Sequence, residues 1–182
     1  MEMKVTYEIE NGKKVKVESW DDGDVYKYDE NGNEIYHKNS DGFEKWCEYD
    51  SNGNRIYYKD SYGFEECHEY SSDGKVTYYK GFYGFERWHE YDSNGNEIHY
   101  KDNEGREQWR EYNSNGKVIH YNDNKGYEEW NEYDSNGNEI HFKDNCGYED
   151  WSEYDAYGKC IHIRNNDGKE WFCDDYEARK VC

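Results

Sequence analysis

Glycines at a fixed spacing are the feature of this sequence that most restricts its fold. From Gly32 to Gly168 they alternate between steps of ten and eleven residues, so the chain repeats every 21 residues. Each of these glycines ends a run of turn-forming residues, such as Asp50-Ser51-Asn52-Gly53, where a positive φ angle is needed and glycine adopts it without a Cβ clash. A fixed period of this length is typical of repeat architectures.

Six or seven residues rich in Tyr, Trp, Ile and Thr lie between successive turns, a composition that predicts strands. We therefore predict an all-β protein whose tandem 21-residue β-hairpin repeats form one long antiparallel, twisted or curled sheet. A single repeat domain is expected over residues 1–182. It comprises a degenerate N-terminal cap at 1–31, repeats at 32–168, and a C-terminal cap at 169–182 formed by a last strand or a short helix.

Alternation of side chains along a strand sorts the repeat into two faces. One face is predicted to gather Ile and Tyr of the first strand, as at Ile98 and Tyr100, with aromatic residues of the second strand. The other face carries Tyr or His, Lys, Glu and Trp, with Lys opposite Glu across the hairpin. A one-residue shift in register exchanges the two faces of a strand. With a period of 21 residues, each column therefore stays on one face only if one residue in each repeat is left out of the strand alternation. We expect the two turns of each repeat to have loop lengths of opposite parity.

The turns also carry a family resemblance. The stretches Tyr49-Asp50-Ser51-Asn52-Gly53 and Tyr133-Asp134-Ser135-Asn136-Gly137, with the Asp-x-x-Gly turn after each first strand, resemble the YD repeats of Rhs and insecticidal-toxin proteins. The resemblance covers about three quarters of the chain. It implies a long antiparallel sheet, which in that family spirals into a shell around a toxin domain. This chain is far shorter than such shells and richer in Trp and Glu, so the resemblance supports the strand ribbon alone.

Acidic residues dominate the surface. The chain contains 43 Asp and Glu against 23 Lys and Arg, a net charge of −20 that disfavours direct nucleic-acid binding. Glutamates four residues apart on the second strands should form two rows about 13 Å apart, which resemble in outline the two phosphate lines of a duplex. The predicted binding glutamates are Glu44, Glu48, Glu65, Glu69, Glu86, Glu90, Glu107, Glu111, Glu128, Glu132, Glu149 and Glu153. The predicted aromatic binding residues are Trp46, Trp88, Trp109, Trp130 and Trp151.

Three non-enzymatic functions suit such a surface. Our main prediction is a small inhibitor that mimics nucleic acid and blocks a basic, nucleic-acid-handling protein, as phage-encoded anti-restriction and anti-CRISPR proteins do by charge alone. A second is binding of glycans or cell-wall polymers by the Trp and Tyr ladders. A third is a structural or toxin-neutralising module of the YD-repeat kind that binds one protein by shape. Alternatively, the acidic residues only keep an exposed sheet soluble.

Catalytic and metal signatures are missing from the sequence. It has no phosphate-cradling glycine loop, no G-x-S-x-G and no H-E-x-x-H, so we expect no enzyme and no cofactor. His99, His120, His141 and His162 should align on every second strand, roughly 9.5 Å apart, whereas ligands of one zinc converge at about 2 Å. We therefore expect an exposed histidine ladder packed between Trp rings rather than a metal site. The turns also lack the glycine at place six and the bidentate Glu of a calcium loop.

The cysteines fall in different columns of the repeat, and no C-x-x-C pair occurs. No apolar run reaches the length of a signal peptide or a membrane span. We therefore expect a cytoplasmic protein of the producing or infected cell, with no membrane partner and with free thiols rather than disulfides. The cysteines are Cys47, Cys67, Cys146, Cys160, Cys173 and Cys182.

Overall fold

The structure, a computed structural model, describes residues 2–173. It is all-β, with 17 strands in one open antiparallel sheet, so the predicted fold class is confirmed. The strands are β1 (Met3–Glu10), β2 (Lys13–Trp20), β3 (Val25–Tyr28), β4 (Glu34–Lys38), β5 (Glu44–Tyr49), β6 (Arg55–Asp60), β7 (Glu65–Tyr70), β8 (Val76–Lys80), β9 (Glu86–Tyr91), β10 (Glu97–Asp102), β11 (Glu107–Tyr112), β12 (Val118–Asp123), β13 (Glu128–Tyr133), β14 (Glu139–Asp144), β15 (Glu149–Tyr154), β16 (Cys160–Asn165) and β17 (Glu170–Phe172).

The strands belong to two compact units, Met1–Trp88 and His89–Cys182, with the boundary inside β9. Within each unit, every strand pairs with the one that follows it in the chain. The single domain over 1–182 stays a prediction.

Among residues 2–173, no helix is both long and apolar enough to cross a membrane.

The two ends of the described chain differ from the repeats. β1 and β2 have eight residues each and are joined by the two-residue turn Asn11-Gly12, whose φ angles of 51° and 79° suit a tight hairpin. Val15 and Val17 of β2 are 3% and 5% exposed and, with Cys47, are the buried apolar side chains of the described part. At the other end β17 is a strand, one of the two forms predicted for the C-terminal cap. Residues 174–182 lie outside the described residues.

Both turns of a repeat have the same geometry. The N–H of Asp102 donates to the carbonyl oxygen of Arg106 at 2.9 Å. In the next turn, the N–H of Asn113 donates to the carbonyl oxygen of Lys117 at 2.9 Å. The fourth residue of each turn is a glycine with positive φ. The expectation of loop lengths with opposite parity is therefore wrong.

A β-bulge takes up the odd residue instead. Tyr112 pairs with Val118 whereas Glu111 pairs with His120, so Ile119 is skipped in the register. An extra residue in one strand shifts the register by one, which keeps each column on its own face through a 21-residue period. The residues skipped in this way are Ile35, Ile56, Thr77, Ile119, Ile140 and Ile161.

The other strand pairings follow the chemistry of the columns. Lys101 lies opposite Glu107, and His99 lies opposite Trp109. The same pairs recur along the chain, with Lys38 opposite Glu44 as one example. The predicted gathering of Tyr or His, Lys, Glu and Trp on one face is confirmed, whereas the Ile column sits at the bulges rather than opposite a side chain.

Candidate binding face

The predicted glutamates form two rows that differ in exposure. The row one residue before the turn tyrosines, here called the outer row, is exposed throughout, and its members in the second unit are 68% to 70% exposed. The row at the start of the same strands, here called the inner row, is half-buried except at Glu65. The outer row is Glu48, Glu69, Glu90, Glu111, Glu132 and Glu153, and the inner row is Glu44, Glu65, Glu86, Glu107, Glu128 and Glu149.

In the second unit, histidines bridge the two rows. Nδ1 of His120 lies 3.3 Å from Oε1 of Glu111 in the outer row, and Nε2 lies 2.9 Å from Oε1 of Glu128 in the inner row. The imidazole stacks on Trp130 with centroids 5.3 Å apart and planes 8° apart. His99 and His141 repeat this arrangement on the neighbouring repeats.

The ladder differs from its prediction in exposure. Each histidine stacks on one aromatic ring rather than lying between two, and it is half-buried rather than exposed, because that ring and the two carboxylates cover one ring face and both nitrogens. The fourth member, His162, is looser: its nitrogens lie 3.8 Å from Glu153 and 3.6 Å from Glu170, and Phe172 replaces the tryptophan. Within residues 2–173, no group of three or more potential ligands is arranged to hold a metal ion.

The carboxylates around this ladder change its protonation. Burial by itself lowers the pKa of His120, but hydrogen bonds to Glu128 and Glu111 and the charges of both carboxylates outweigh it, and the pKa lies above the ordinary 6.5. The pKa of His141 is raised in the same way, against burial, by Glu149 and Glu132. A protonated imidazole donates from both nitrogens, so it joins two carboxylates at once. Protonation therefore offsets part of the negative charge of this face.

The first unit satisfies its inner row differently, because tyrosine stands where the second unit has histidine. The hydroxyl of Tyr57 donates to Oε1 of Glu65 at 2.9 Å. Nζ of Lys38 lies 3.0 Å from Oε1 of Glu44. Cys67 faces Tyr57 at the place that tryptophan occupies in most repeats. In both units, the inner row is thus largely covered by neighbouring side chains, whereas the outer row stays exposed, although in the second unit each of its carboxylates also contacts one histidine.

The tryptophans predicted to bind a partner are not equally accessible. Trp46, Trp88 and Trp130 are 36% to 38% exposed. Trp109 and Trp151 are half-buried; a histidine stacks on each of them, as it does on Trp130. The accessible part of the face is therefore the outer row together with three indole rings.

The Tyr-Asp turns have a structural role. Oδ1 of Asp134 accepts hydrogen bonds from the N–H groups of Asn136 at 2.9 Å and Asn138 at 2.8 Å, and Oδ2 accepts from Nδ2 of Asn138 at 2.9 Å. The side-chain bond from Asn138 is the main cause that holds the pKa of Asp134 below its usual value. The aspartate therefore shapes the turn.

One disulfide corrects the expectation of free thiols. Cys160 and Cys173 are bonded, with Cα atoms 5.9 Å apart across the β16–β17 hairpin. Antiparallel pairing of His162 with Phe172 brings the two cysteines, one at the start of β16 and one after β17, to a separation that a disulfide spans. Cys182 lies outside the described residues. The expectation of free thiols is confirmed for Cys47, Cys67 and Cys146.

Comparison with known proteins gives a likeness in fold. No protein-family model and no curated protein matches the sequence. Among solved structures, the Tc holotoxin pore of Photorhabdus luminescens is similar with a TM-score of 0.54 and 15% identity, over 84% of this chain and 10% of that chain. The TcdB2–TccC3 complex gives 0.53 and 13%, over 86% and 11%. A TcdB2–TccC3–Cdc42 complex gives 0.54 and 13%, over 87% and 11%.

These identities establish similarity of fold alone. The chain spans about a tenth of the length of the chains that it matches. The resemblance to YD-repeat toxins drawn from the turn motifs is therefore supported at the level of the antiparallel repeat sheet.

Proposed function

We propose that this chain is a non-enzymatic structural module of the YD-repeat kind, which binds one protein partner through its outer glutamate row and the exposed indoles beside it. The observation that carries the proposal is the similarity of the repeat sheet, over 84% of the chain, to part of a toxin assembly. The names of the similar structures describe protein complexes, TcdB2 with TccC3 and in one case Cdc42. A repeat sheet that packs against other protein surfaces is therefore the function with the best support.

The distribution of charge supports a basic protein as the partner. The outer row presents a carboxylate on every second strand, about 9.6 Å apart at the usual strand spacing. The lysines of this face are aligned with the inner row, whereas the outer-row carboxylates of the second unit each contact one histidine and stay exposed. Arginine or lysine side chains of a partner would find a regular series of negative groups, which favours specificity and fast association more than affinity.

The nucleic-acid mimic remains a second candidate, supported by the exposure of the outer row. The spacing counts against it, because one exposed carboxylate per about 9.6 Å is several-fold sparser than the duplex value of one charge per about 1.7 Å. The inner row, which was to serve as the second line of phosphates, is engaged by His, Lys and Tyr. Glycan binding stays a prediction that depends on Trp46, Trp88 and Trp130.

Capture from the source cells with matched variants tests the proposal. The triple variant Glu90→Gln, Glu111→Gln, Glu132→Gln removes outer-row charge and keeps side-chain size. Its control, Asp41→Asn, Glu104→Gln, Asp167→Asn, removes three charges from exposed turns. We expect one protein to be retained by the wild-type chain and the control and lost by the outer-row variant.

Competition then separates the candidates. Retention of that protein in the presence of excess duplex DNA supports the structural module, whereas displacement by DNA supports the mimic. Equal capture by all three chains would refute a role for the outer row. Capture of polysaccharide that is lost when Trp46, Trp88 and Trp130 become alanine would replace both candidates with glycan binding.

A further inference from the structure

The first strand of the sheet has an open edge. β2 to β16 each pair with the strand before and the strand after them in the chain, whereas the strand registers and contacts pair β1 with β2 alone among the described strands. Open edges are usually protected by proline, a bulge, short length or charged side chains, and of these β1 has only charges, which are of both signs. β1 contains no proline, and its register with β2 is continuous over eight residues, from Met3 opposite Trp20 to Glu10 opposite Lys13. Within residues 2–173, the outer edge of β1 is therefore unpaired.

The backbone of β1 determines which residues face that edge. The two-residue turn makes Glu10 and Lys13 the closing hydrogen-bonded pair, and hydrogen-bonded pairs then alternate along the hairpin. The N–H of Asp21 donates to the carbonyl oxygen of Glu2 at 3.2 Å, in agreement with this alternation. Even-numbered residues of β1 therefore bond to β2, and odd-numbered residues direct their N–H and C=O groups outward.

The odd-numbered residues are also apolar and exposed. The exposed fractions are 46% for Met3, 41% for Val5, 61% for Tyr7 and 72% for Ile9. On the other face of the strand, the exposed even-numbered residues include charges of opposite sign, Lys4 and Glu8. One edge thus combines outward backbone groups, an apolar stripe and a pair of opposite charges.

This pattern is self-complementary. When two copies of β1 run antiparallel about a two-fold axis at Thr6, Val5 faces Tyr7, Met3 faces Ile9 and Lys4 faces Glu8. Apolar and opposite-charge pairs of this kind stabilise neighbouring antiparallel strands. The outward backbone groups of Val5 and Tyr7 meet as a hydrogen-bonded pair, as antiparallel geometry requires.

An axis at Tyr7 is less suitable. It would pair Lys4 with Glu10, whose carboxylate already forms an ion pair with Lys27. Glu8 lies further from Lys27, at 3.5 Å, and its side chain is 51% exposed. The Thr6 axis uses this more available carboxylate.

We propose that the chain forms a two-fold dimer with a second copy of itself through antiparallel β1–β1 pairing centred on Thr6. This proposal goes beyond the proposed function and does not rest on it. The contact is one strand wide, smaller than a standard stable interface, so the dimer dissociates on dilution. A charge of −20 on each copy opposes association, and salt screens this repulsion. Association is therefore stronger at about 150 mM salt than at about 20 mM salt.

Charge reversal tests the register. Sedimentation velocity of the wild-type chain across a concentration series is expected to show reversible dimerisation. Lys4→Glu and Glu8→Lys, each alone, should be monomeric at the same concentrations, because like charges then face each other. An equimolar mixture of the two variants should restore the dimer, because the reversed charges face each other across the axis. Lys125→Glu changes the net charge as much as Lys4→Glu, in an exposed turn of the second unit, and should dimerise like the wild-type chain.

A backbone variant gives an independent test. Val5→Pro removes an N–H that points away from β2, so the hairpin keeps its hydrogen bonds while the outward edge loses one. A folded monomer is expected, with circular dichroism and thermal midpoint close to those of the wild-type chain. A wild-type chain that stays monomeric at hundreds of micromolar and moderate salt overturns the proposal. Undiminished dimers in both single variants, or failure of their mixture to associate, overturn the Thr6 register.

Discussion

The hydroxyl of Tyr112 donates a hydrogen bond to the backbone carbonyl oxygen of Glu97, 2.8 Å away and 15 residues earlier in the chain. Tyr154 makes the same bond to Glu139 at 2.8 Å. Tyr112 lies just before the turn that ends at Gly116, and Glu97 lies just after the equivalent turn of the previous repeat, which ends at Gly95. The bond therefore joins successive repeats, in a sheet where the described part buries few apolar side chains. Stability in such arrays is approximately a sum of contacts between neighbours.

Removal of the Tyr112 hydroxyl should lower the stability of the fold by a measurable amount. Tyr112→Phe keeps the ring and leaves the Glu97 carbonyl without the donor, so the free energy of unfolding should fall by about 1 kcal/mol. Urea denaturation followed by tryptophan fluorescence measures it. Tyr157→Phe is the control, because Tyr157 is 96% exposed in a turn and should change stability little. Equal effects of the two substitutions would exclude this bond as a stabilising link.

A second prediction concerns Gly81, which stands where most repeats have Asp or Asn. A Cβ atom at Gly81 would clash with the hydroxyl of Tyr79 and lie 2.8 Å from two of its ring carbons. The ring also lies 5.0 Å from the His68 ring and 4.8 Å from the Arg87 guanidinium, so displacing it disturbs both contacts. Gly81→Ala should therefore lower the free energy of unfolding by about 1–3 kcal/mol, as overpacking usually does.

A double-mutant cycle isolates that cause. In a Tyr79→Leu background the clash is absent, and Gly81→Ala should cost much less than it does in the wild-type chain. If the cost is the same in both backgrounds, the effect comes from the backbone at Gly81 rather than from the tyrosine ring.

The histidine ladder predicts a pH dependence. The folded-state pKa values of His120 and His141 lie above the ordinary 6.5, so the folded chain binds these protons more tightly than the unfolded chain. Their contribution to stability is fully present below the unfolded-state pKa and is lost as pH rises through the folded-state values. The free energy of unfolding should therefore decrease from about pH 6 to about pH 8.

The double variant His120→Gln, His141→Gln serves as the comparison. The two substituted positions cannot titrate in this window, whereas the other histidines are common to both proteins, so the stability of the variant should fall less from about pH 6 to about pH 8 than that of the wild-type chain. Half-buried Glu139, whose pKa is raised by burial and nearby carboxylates, is present in both proteins and contributes equally to both curves. Parallel curves for the two proteins would show that the ladder does not couple protonation to folding.

The sequence predicts the sheet well because turns and strand chemistry are local. Glycine spacing locates every repeat turn, and the Lys and Glu columns predict that Lys101 lies opposite Glu107. The bulge at Ile119 is not predictable from spacing, because an odd residue placed in a turn or in a strand leaves the same distance between glycines. Only the strand register in the structure shows that the odd residue lies in a strand rather than in a turn.

The candidate site was predicted in composition but not in exposure. Glu107 and Glu111 are identical residues on one strand, yet they are 27% and 70% exposed. The difference arises from side chains on adjacent strands that cover the inner row. The position of a residue in the repeat does not show how much of its side chain these neighbours cover. The Cys160–Cys173 disulfide is not predictable from the columns of the repeat, because it joins the repeat to the segment where the pattern ends.

The turn aspartates give the last prediction. Oδ1 of Asp134 accepts two backbone hydrogen bonds. In the preceding Tyr-Asn turn, Oδ1 of Asn113 accepts the equivalent bonds from the N–H groups of Asn115 at 2.9 Å and Lys117 at 3.0 Å. Asp134→Asn should therefore keep the turn, whereas Asp134→Ala loses all side-chain acceptors. At pH 7 we expect the urea midpoint to be highest for the wild-type chain, lower for Asp134→Asn and lowest for Asp134→Ala.

Acid should remove the advantage of aspartate over asparagine at this turn. The folded-state pKa of Asp134 is lowered, chiefly by the side-chain bond from Asn138, so its charge stabilises the fold above the ordinary value of 3.8. That contribution is lost as pH falls through the lowered folded-state value. The midpoints of the wild-type chain and Asp134→Asn should thus converge below about pH 3, while Asp134→Ala stays lower. A constant gap between wild type and Asp134→Asn down to that pH would mean that the acceptor geometry, and not the charge, accounts for the difference.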